Sequence, residues 1–193
     1  MDFDFVWSRA CAGFCQVFGL NAQALSLYRK ILETRQDAPC ARVAAILSAK
    51  EGKLDEAESW YSKASKWDGG DIETWFNLGY LRDALGRKRE AIEAFRHAVL
   101  LAPHFDRAWH GIGSMHMALG EHAQAIEPLR KARELQPQNA QLLYLIGQCQ
   151  QACGNDRGVH DAVKELVALD ANRARLLVEE SGRKELKRLL PED

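Results

Sequence analysis

Long hydrophobic runs are missing from this chain of 193 residues: no window approaches the roughly 18 continuous apolar residues that a membrane-spanning helix requires. An excess of one charge is missing too. The formal net charge is −1 and the pI about 6.6, so nothing suggests a polyanionic partner and no nucleic acid is expected. The densest basic cluster, Arg183-Lys184-Glu185-Leu186-Lys187-Arg188, is interrupted by Glu185 and Leu186 and reads as a solvated helix face. A secretion signal is not expected, because Met1-Asp2-Phe3-Asp4 is acidic where a signal is basic and Arg9 breaks the apolar run that follows. Phe3 to Leu20 is nonetheless greasy, which leaves peripheral membrane contact open.

The five cysteines are an odd number without a disulfide-like framework. Cys11 and Cys15 are four apart, as are Cys149 and Cys153, so each pair shares a helical face. Two such pairs are formally enough for a tetrathiolate metal site. They stand at opposite ends of the chain, however, and lack the turn-based spacing of a ligand hairpin. The expectation is small buried thiols in a reducing cytoplasm, with no metal and no cofactor. Among the six histidines, His116 and His122 read as packing residues, His97 and His104 as outer-surface or loop residues, and His160 as part of a degenerate segment. None has a carboxylate or cysteine partner at a usable spacing, so no catalytic residue is assigned and the chain is not expected to be an enzyme.

What the chain does contain is a repeat. Gly19, Gly52, Gly86, Gly120 and Gly154 are 33, 34, 34 and 34 residues apart. Ala24, Ala57, Ala91, Ala125 and Val159 follow in register, then Tyr28, Tyr61, Phe95, Leu129 and Val163. Upstream, Ala45, Gly79, Gly113 and Gly147 form another column at the same period. Each unit divides at its central glycine into two apolar-periodic stretches, which predicts two antiparallel helices. Gly86 suits a left-handed cap ending the first helix, and Pro103 suits the break after the second. Pro128 falls within a predicted second helix, where it predicts a kink. A single pair cannot cover its own apolar face, so the pairs must stack.

These columns resemble the tetratricopeptide repeat family. The family pattern is matched by Trp75, Leu78-Gly79, Ala91, Phe95, Ala98 and Pro103, then by Trp109, Ile112-Gly113, Ala125, Leu129, Ala132 and Pro137. A third unit matches through Ala44-Ala45, Ala57, Tyr61 and Ala64, with Gly69 in place of the last proline. The first and last units are weaker; the last places Val159 and Leu166 in small-residue columns. The resemblance implies an all-α fold, a right-handed α-solenoid of about five helix-turn-helix repeats over 5–37, 38–71, 72–105, 106–139 and 140–171. Residues 172–193 are then a C-terminal cap and tail, with a helix from Asn172 to Glu180 and a second short one from Arg183 to Leu190. Its water-facing side would comprise Arg173, Arg175, Glu179, Lys184, Glu185 and Lys187.

In that arrangement the first helix of each pair lines a concave groove. Arg42, Ile46, Phe76, Asn77 and Tyr80 are then expected on its wall, and so are Arg107, His110, Ser114, Met117, Tyr144 and Gln148. Phe76, Tyr80 and Tyr144 are aromatics that the repeat does not require for its own packing, and such side chains grip apolar anchors of a peptide. The competing expectation is that the groove holds the chain's own N-terminal segment or cap, or merely water. A carboxylate clamp known in one subclass is matched by Arg42, Asn77 and Arg107, but Ile46 and Gly111 stand where two more donors belong. That leaves a carboxylate underpaired, which argues against a clamp.

The resemblance therefore implies a non-enzymatic protein-interaction module, an adaptor, scaffold or assembly factor whose partner is a peptide or helix of another protein. The alternative is a small chaperone for a secretion substrate, forming a homodimer through its N-terminal helix. Phe3, Phe5, Val6, Trp7, Phe14 and Phe18 would supply that dimer surface, or would instead pack as the first helix of the solenoid.

Overall fold

The computed structural model of the chain describes residues 3–191, the side chain of Phe3 excepted, and every regular element among them is helical. Residues 3–94 belong to one compact unit and residues 95–191 to a second. The first holds α1 (Phe3–Val17), α2 (Asn21–Thr34), α3 (Ala38–Lys50), α4 (Leu54–Trp67) and α5 (Ile72–Ala84), each packed on the next. The division falls within α6 (Lys88–Leu101). The second unit holds α7 (Asp106–Ala118), α8 (His122–Leu135), α9 (Ala140–Ala152), α10 (Asp156–Leu169) and α11 (Ala171–Ser181), then a 3₁₀ helix over Lys184–Leu189.

The repeated glycines set the turns. Gly19, Gly52, Gly86, Gly120 and Gly154 all have positive φ, between 69° and 77°. At Gly86 the glycine amide donates to the Asp83 carbonyl and the Arg87 amide to the Arg82 carbonyl, both at 2.8 Å. These crossed bonds satisfy carbonyls that the helix end leaves open, in a backbone conformation that a Cβ disfavours. The same pair of bonds recurs at the other four glycines. The starts of several helices are closed by side chains: Asp37 accepts from the Cys40 amide, Asp71 from Thr74, Asn155 from Gly158 and Asp170 from Arg173.

The two columns downstream of each glycine are the core. Ala24, Ala57, Ala91, Ala125 and Val159 are fully buried, and so, to within a few per cent, are Tyr28, Tyr61, Phe95, Leu129 and Val163. The column of small residues lets neighbours close in: a Cβ at Gly113 would come within 2.6 Å of the Leu129 side chain. The larger Val159 and Leu166 of the last pair fit because they face Ala174, Leu177 and Val178 of α11 and Leu186 of the 3₁₀ helix, in one cluster. Each fully buried Val or Leu there contributes about 1.5–3 kcal/mol. The expected second short helix of the tail is thus a 3₁₀ turn. Arg173, expected among the water-facing residues, turns back instead and donates to Gln141 at 3.1 Å and to Asp170.

Candidate functional site

In the first unit, the expected wall residues come from α3 and α5. Tyr80 is 60% exposed and sits edge-on against Phe76, ring centroids 5.1 Å apart at 72°. Phe76 itself is only 5% exposed, so it props Tyr80 from below and belongs to the core, contrary to the expectation of a spare aromatic. Ile46, one repeat earlier in the same column as Tyr80, is 38% exposed. Asn77 bonds to the Tyr61 side chain; burial, reinforced by Asp71 and Glu73, nevertheless pushes that phenol up to about 12. Arg42 faces Asp68 at 3.3 Å and Asp71 at 3.6 Å, so its charge is largely balanced within the unit.

The second unit offers Arg107, His110, Ser114 and Met117 on α7, and Tyr144 and Gln148 on α9. Arg107 is exposed, with its guanidinium 4.7 Å over the Phe105 ring. His110 is half-buried; burial lowers its pKa and the nearby Asp106 carboxylate opposes that. Met117 packs partly into the cluster around Ala125, Leu142 and Cys149. Gly111 stands where a clamp would need arginine, and the Phe95 ring already occupies the place of its Cβ, at 2.9 Å.

Tyr144 and Gln148 are not open wall. The Tyr144 hydroxyl donates to Glu180 Oε1 at 2.7 Å, and Gln148 Nε2 donates to the Tyr144 oxygen at 3.0 Å and to Glu180 Oε2 at 3.1 Å. Gln151 adds a bond to the Glu180 backbone carbonyl at 2.8 Å. Burial, with Glu180 beside it, pushes the Tyr144 phenol up to about 12. At this end the chain's own α11 covers the surface, which is the competing expectation stated for the groove.

One concavity was not anticipated. Arg96, Val99 and Leu100 of α6, Trp109, Ile112 and His116 of α7, and Gln124 and Pro128 of α8 line a cleft of about 530 Å³. Leu100 on its rim is 76% exposed. His116 at its floor is bonded through Nδ1 to Glu121 at 2.7 Å, which corrects the expectation that no histidine has a carboxylate partner. His160 also approaches a carboxylate, Asp161, at 3.5 Å. The described lining of the cleft around His116 includes no serine, cysteine or lysine. The sequence signal for His116 and Glu121 was present but masked, because their spacing crosses the Gly120 turn instead of following a helical face.

All five cysteines are free thiols. Only Cys40 and Cys149 are buried, while Cys11 and Cys15 are partly exposed and Cys153 is exposed, so the expectation of buried thiols holds for two of the five. Burial, helped by Asp37, pushes the Cys40 thiol up to about 12, and burial pushes Cys149 up to about 11. No group of three metal-ligating side chains is found among the described residues. Since only the thiolate reacts, an aromatic disulfide reagent at mildly alkaline pH is expected to label Cys153 first. Cys40 and Cys149 should react only after denaturant is added; labelling of either at the rate of Cys153 would contradict their burial.

On α1, Phe5 and Cys15 pack inward around Ala12, with Arg35 stacked 4.5 Å over the Phe5 ring. The other face is open: Trp7 is 73% exposed and Phe14 63%, and Val6, Val17, Phe18 and Leu20 are exposed as well. Phe3, expected on the same surface, lies outside the described side chains. The N-terminal residues therefore do not all pack into the solenoid.

Residues 76–150 match the family model of the tetratricopeptide repeat. Those residues carry tetratricopeptide repeats. The repeat fold also matches solved structures over nearly the whole chain. A crystal structure of MamA shares 20% identity, with 96% of this chain and 97% of that one covered and a TM-score of 0.77. YrrB, described as a tetratricopeptide repeat protein with an unusual peptide-binding site, shares 18%, covering 91% of this chain and 90% of that one, at 0.76. PilF of Pseudomonas aeruginosa shares 19%, covering 98% and 93%, at 0.64. At these identities the likeness is one of fold. No curated protein matches the sequence. Among the described residues, no helix is long and apolar enough to cross a membrane.

Proposed function

We propose that the chain is a non-enzymatic protein-interaction module, an adaptor or assembly factor that takes a peptide segment of a partner protein on the exposed faces of its repeat-leading helices. The observation that carries this reading is Tyr80, a largely exposed aromatic propped on the buried Phe76, with Ile46 exposed in the same column of the preceding repeat. A rigid aromatic loses little conformational entropy on binding and buries much area, which suits an apolar anchor on the peptide. In the second unit the same reading uses Arg107, His110, Ser114 and Met117. Tyr144 and Gln148 hold α11 and are left out. A peptide-binding site described for the similarly folded YrrB is consistent with this use of the fold. A cytoplasmic setting belongs to the same reading, given five free thiols.

The test is a titration of candidate partner peptides against the wild type and an Ile46→Ala/Tyr80→Ala variant, by fluorescence anisotropy. Loss of two exposed anchors is expected to weaken binding by ~10-fold or more, since truncating a contact of this kind costs over 1 kcal/mol. Both positions are open to solvent, so the helical circular dichroism should not change. Equal affinity in the two proteins would remove this wall from consideration. The alternative, a small chaperone for a secretion substrate that dimerises through its N-terminal helix, is favoured by one observation, the open apolar face of α1.

A further inference from the structure

We infer that the open face of α1 is an isologous homodimer interface, in which α1 of two copies cross antiparallel at Ala10 and Cys11. This deepens the N-terminal alternative and is independent of peptide binding at Tyr80. The periodicity comes first. Trp7, Ala10, Phe14 and Val17 are spaced three, four and three apart, which sets them along one stripe of the helix. Val6 joins the same face, and all five are exposed. The stripe spans about 100° of the helix circumference, as wide as the buried face of an ordinary amphipathic helix. The charged residues Asp4 and Arg9 fall outside it. The opposite side of the helix, through Phe5, Ala12 and Cys15, is already spent on the core of the first unit.

The area is that of a dimer. Trp7 is 73% exposed and Phe14 and Phe18 are each 63% exposed; at on the order of 200 Å² per fully exposed aromatic, with Val6, Val17 and Leu20 added, the face offers roughly 650 Å². That lies at the lower end of what one partner gives to a stable interface, roughly 600–1,000 Å². It exceeds the largest apolar patch that a monomer usually exposes.

The pattern is also self-complementary. Large side chains, Trp7 and Phe14, flank the small Ala10, with the half-buried Cys11 at the edge of the stripe. Small residues at the crossing let two helices approach closely, and an antiparallel partner then sets Trp7 against the partner's Phe14 and Ala10 against the partner's Cys11. Each contact occurs twice, as a two-fold axis requires. A bilayer is the poorer occupant. A helix lying on an anionic membrane carries lysines and arginines on its polar face, and here Arg9 is balanced by Asp4.

Sedimentation equilibrium of the whole chain at micromolar concentration tests the interface. A dimer is expected for the wild type and a monomer for Trp7→Glu/Phe14→Glu, with unchanged helical circular dichroism because both positions are exposed. Copper-phenanthroline oxidation in a Cys15→Ser/Cys153→Ser background should give a Cys11–Cys11 cross-linked dimer on a non-reducing gel. A monomeric wild type overturns the inference, as does a dimer that survives both glutamates or a dimer that gives no Cys11 cross-link. A monomer that sediments with phosphatidylcholine–phosphatidylglycerol vesicles, and loses them on Trp7→Glu, puts a bilayer on this face and overturns it equally. None of these outcomes bears on the Tyr80 titration.

Discussion

Gly147→Val is expected to destabilise the second unit by about 3 kcal/mol and to loosen the C-terminal cap. Even a Cβ at Gly147 runs into the Leu177 side chain, and it comes within 3.3 Å of the Ala162 methyl. Leu177 cannot swing aside at low cost, since it is fully buried and clustered with Val163, Leu166 and Val178. A β-branched side chain adds two more methyl groups in the same space, so α11 must move away from α9. That motion breaks the bonds from Tyr144, Gln148 and Gln151 to Glu180. Urea unfolding would show the loss as a lower midpoint, and the Tyr144 environment would change in the near-ultraviolet circular dichroism. Shortening the obstructing residue supplies the control. Leu177→Ala alone leaves a cavity and is itself destabilising, but in the Gly147→Val background the two changes should partly compensate. A fully additive double variant would mean that the two side chains do not meet.

The architecture was readable because the repeat makes the same physical demand five times. A helix followed by a tight reversal needs a residue with positive φ, so glycine recurs at 19, 52, 86, 120 and 154. Two helices in close approach need small residues facing each other, so Ala or Gly recurs in register. The site was less legible, for reasons specific to each residue. Tyr144 looked spare because the repeat pattern does not itself call for an aromatic there; its partner, Glu180, is 36 residues away on a helix outside the repeat. Phe76 and Tyr80 are one turn apart on α5, yet one is core and the other exposed, a distinction that requires knowing how α5 rotates against its neighbours. The N-terminal helix defeats periodicity altogether. It is apolar on both faces, so the pattern alone cannot say which face is inside. His116 and Glu121 were missed because the chain reverses at Gly120 between them.

The cap at the end of the chain shows how far the peptide reading reaches. Tyr144, Gln148 and Gln151 grip α11 through one acidic residue and one backbone carbonyl, the contacts expected of a groove holding a helical ligand, here supplied in cis. A surface that is already satisfied gains nothing from a second ligand, because a competitor must first expose Leu177 and Val178. The adaptable surfaces are the ones that the chain leaves unfilled. On the peptide reading proposed above these include the Ile46 and Tyr80 wall, and the cleft below Leu100 and the outer stripe of α1 are exposed as well.

Phe95→Ala is expected to cost about 3–5 kcal/mol, the usual range for emptying a fully enclosed aromatic site. Phe95 is the only phenylalanine in a column otherwise filled by Tyr28, Tyr61, Leu129 and Val163, and its ring is 2% exposed. The ring lies against Gly111, where a Cβ would stand 2.9 to 3.0 Å from three of its carbons. The glycine at 111 therefore exists to admit this ring, and that accounts for a small residue at a position the clamp-type repeats fill with arginine. The pair should behave as a lock. Gly111→Ala alone overpacks and destabilises; combined with Phe95→Ala, the added methyl enters vacated space and recovers part of the loss, helped by the better helix propensity of alanine. Thermal unfolding of the four proteins of this cycle measures the coupling directly. A Gly111→Ala variant as stable as the wild type would show that the ring yields easily, and the small residue at 111 would then need another cause.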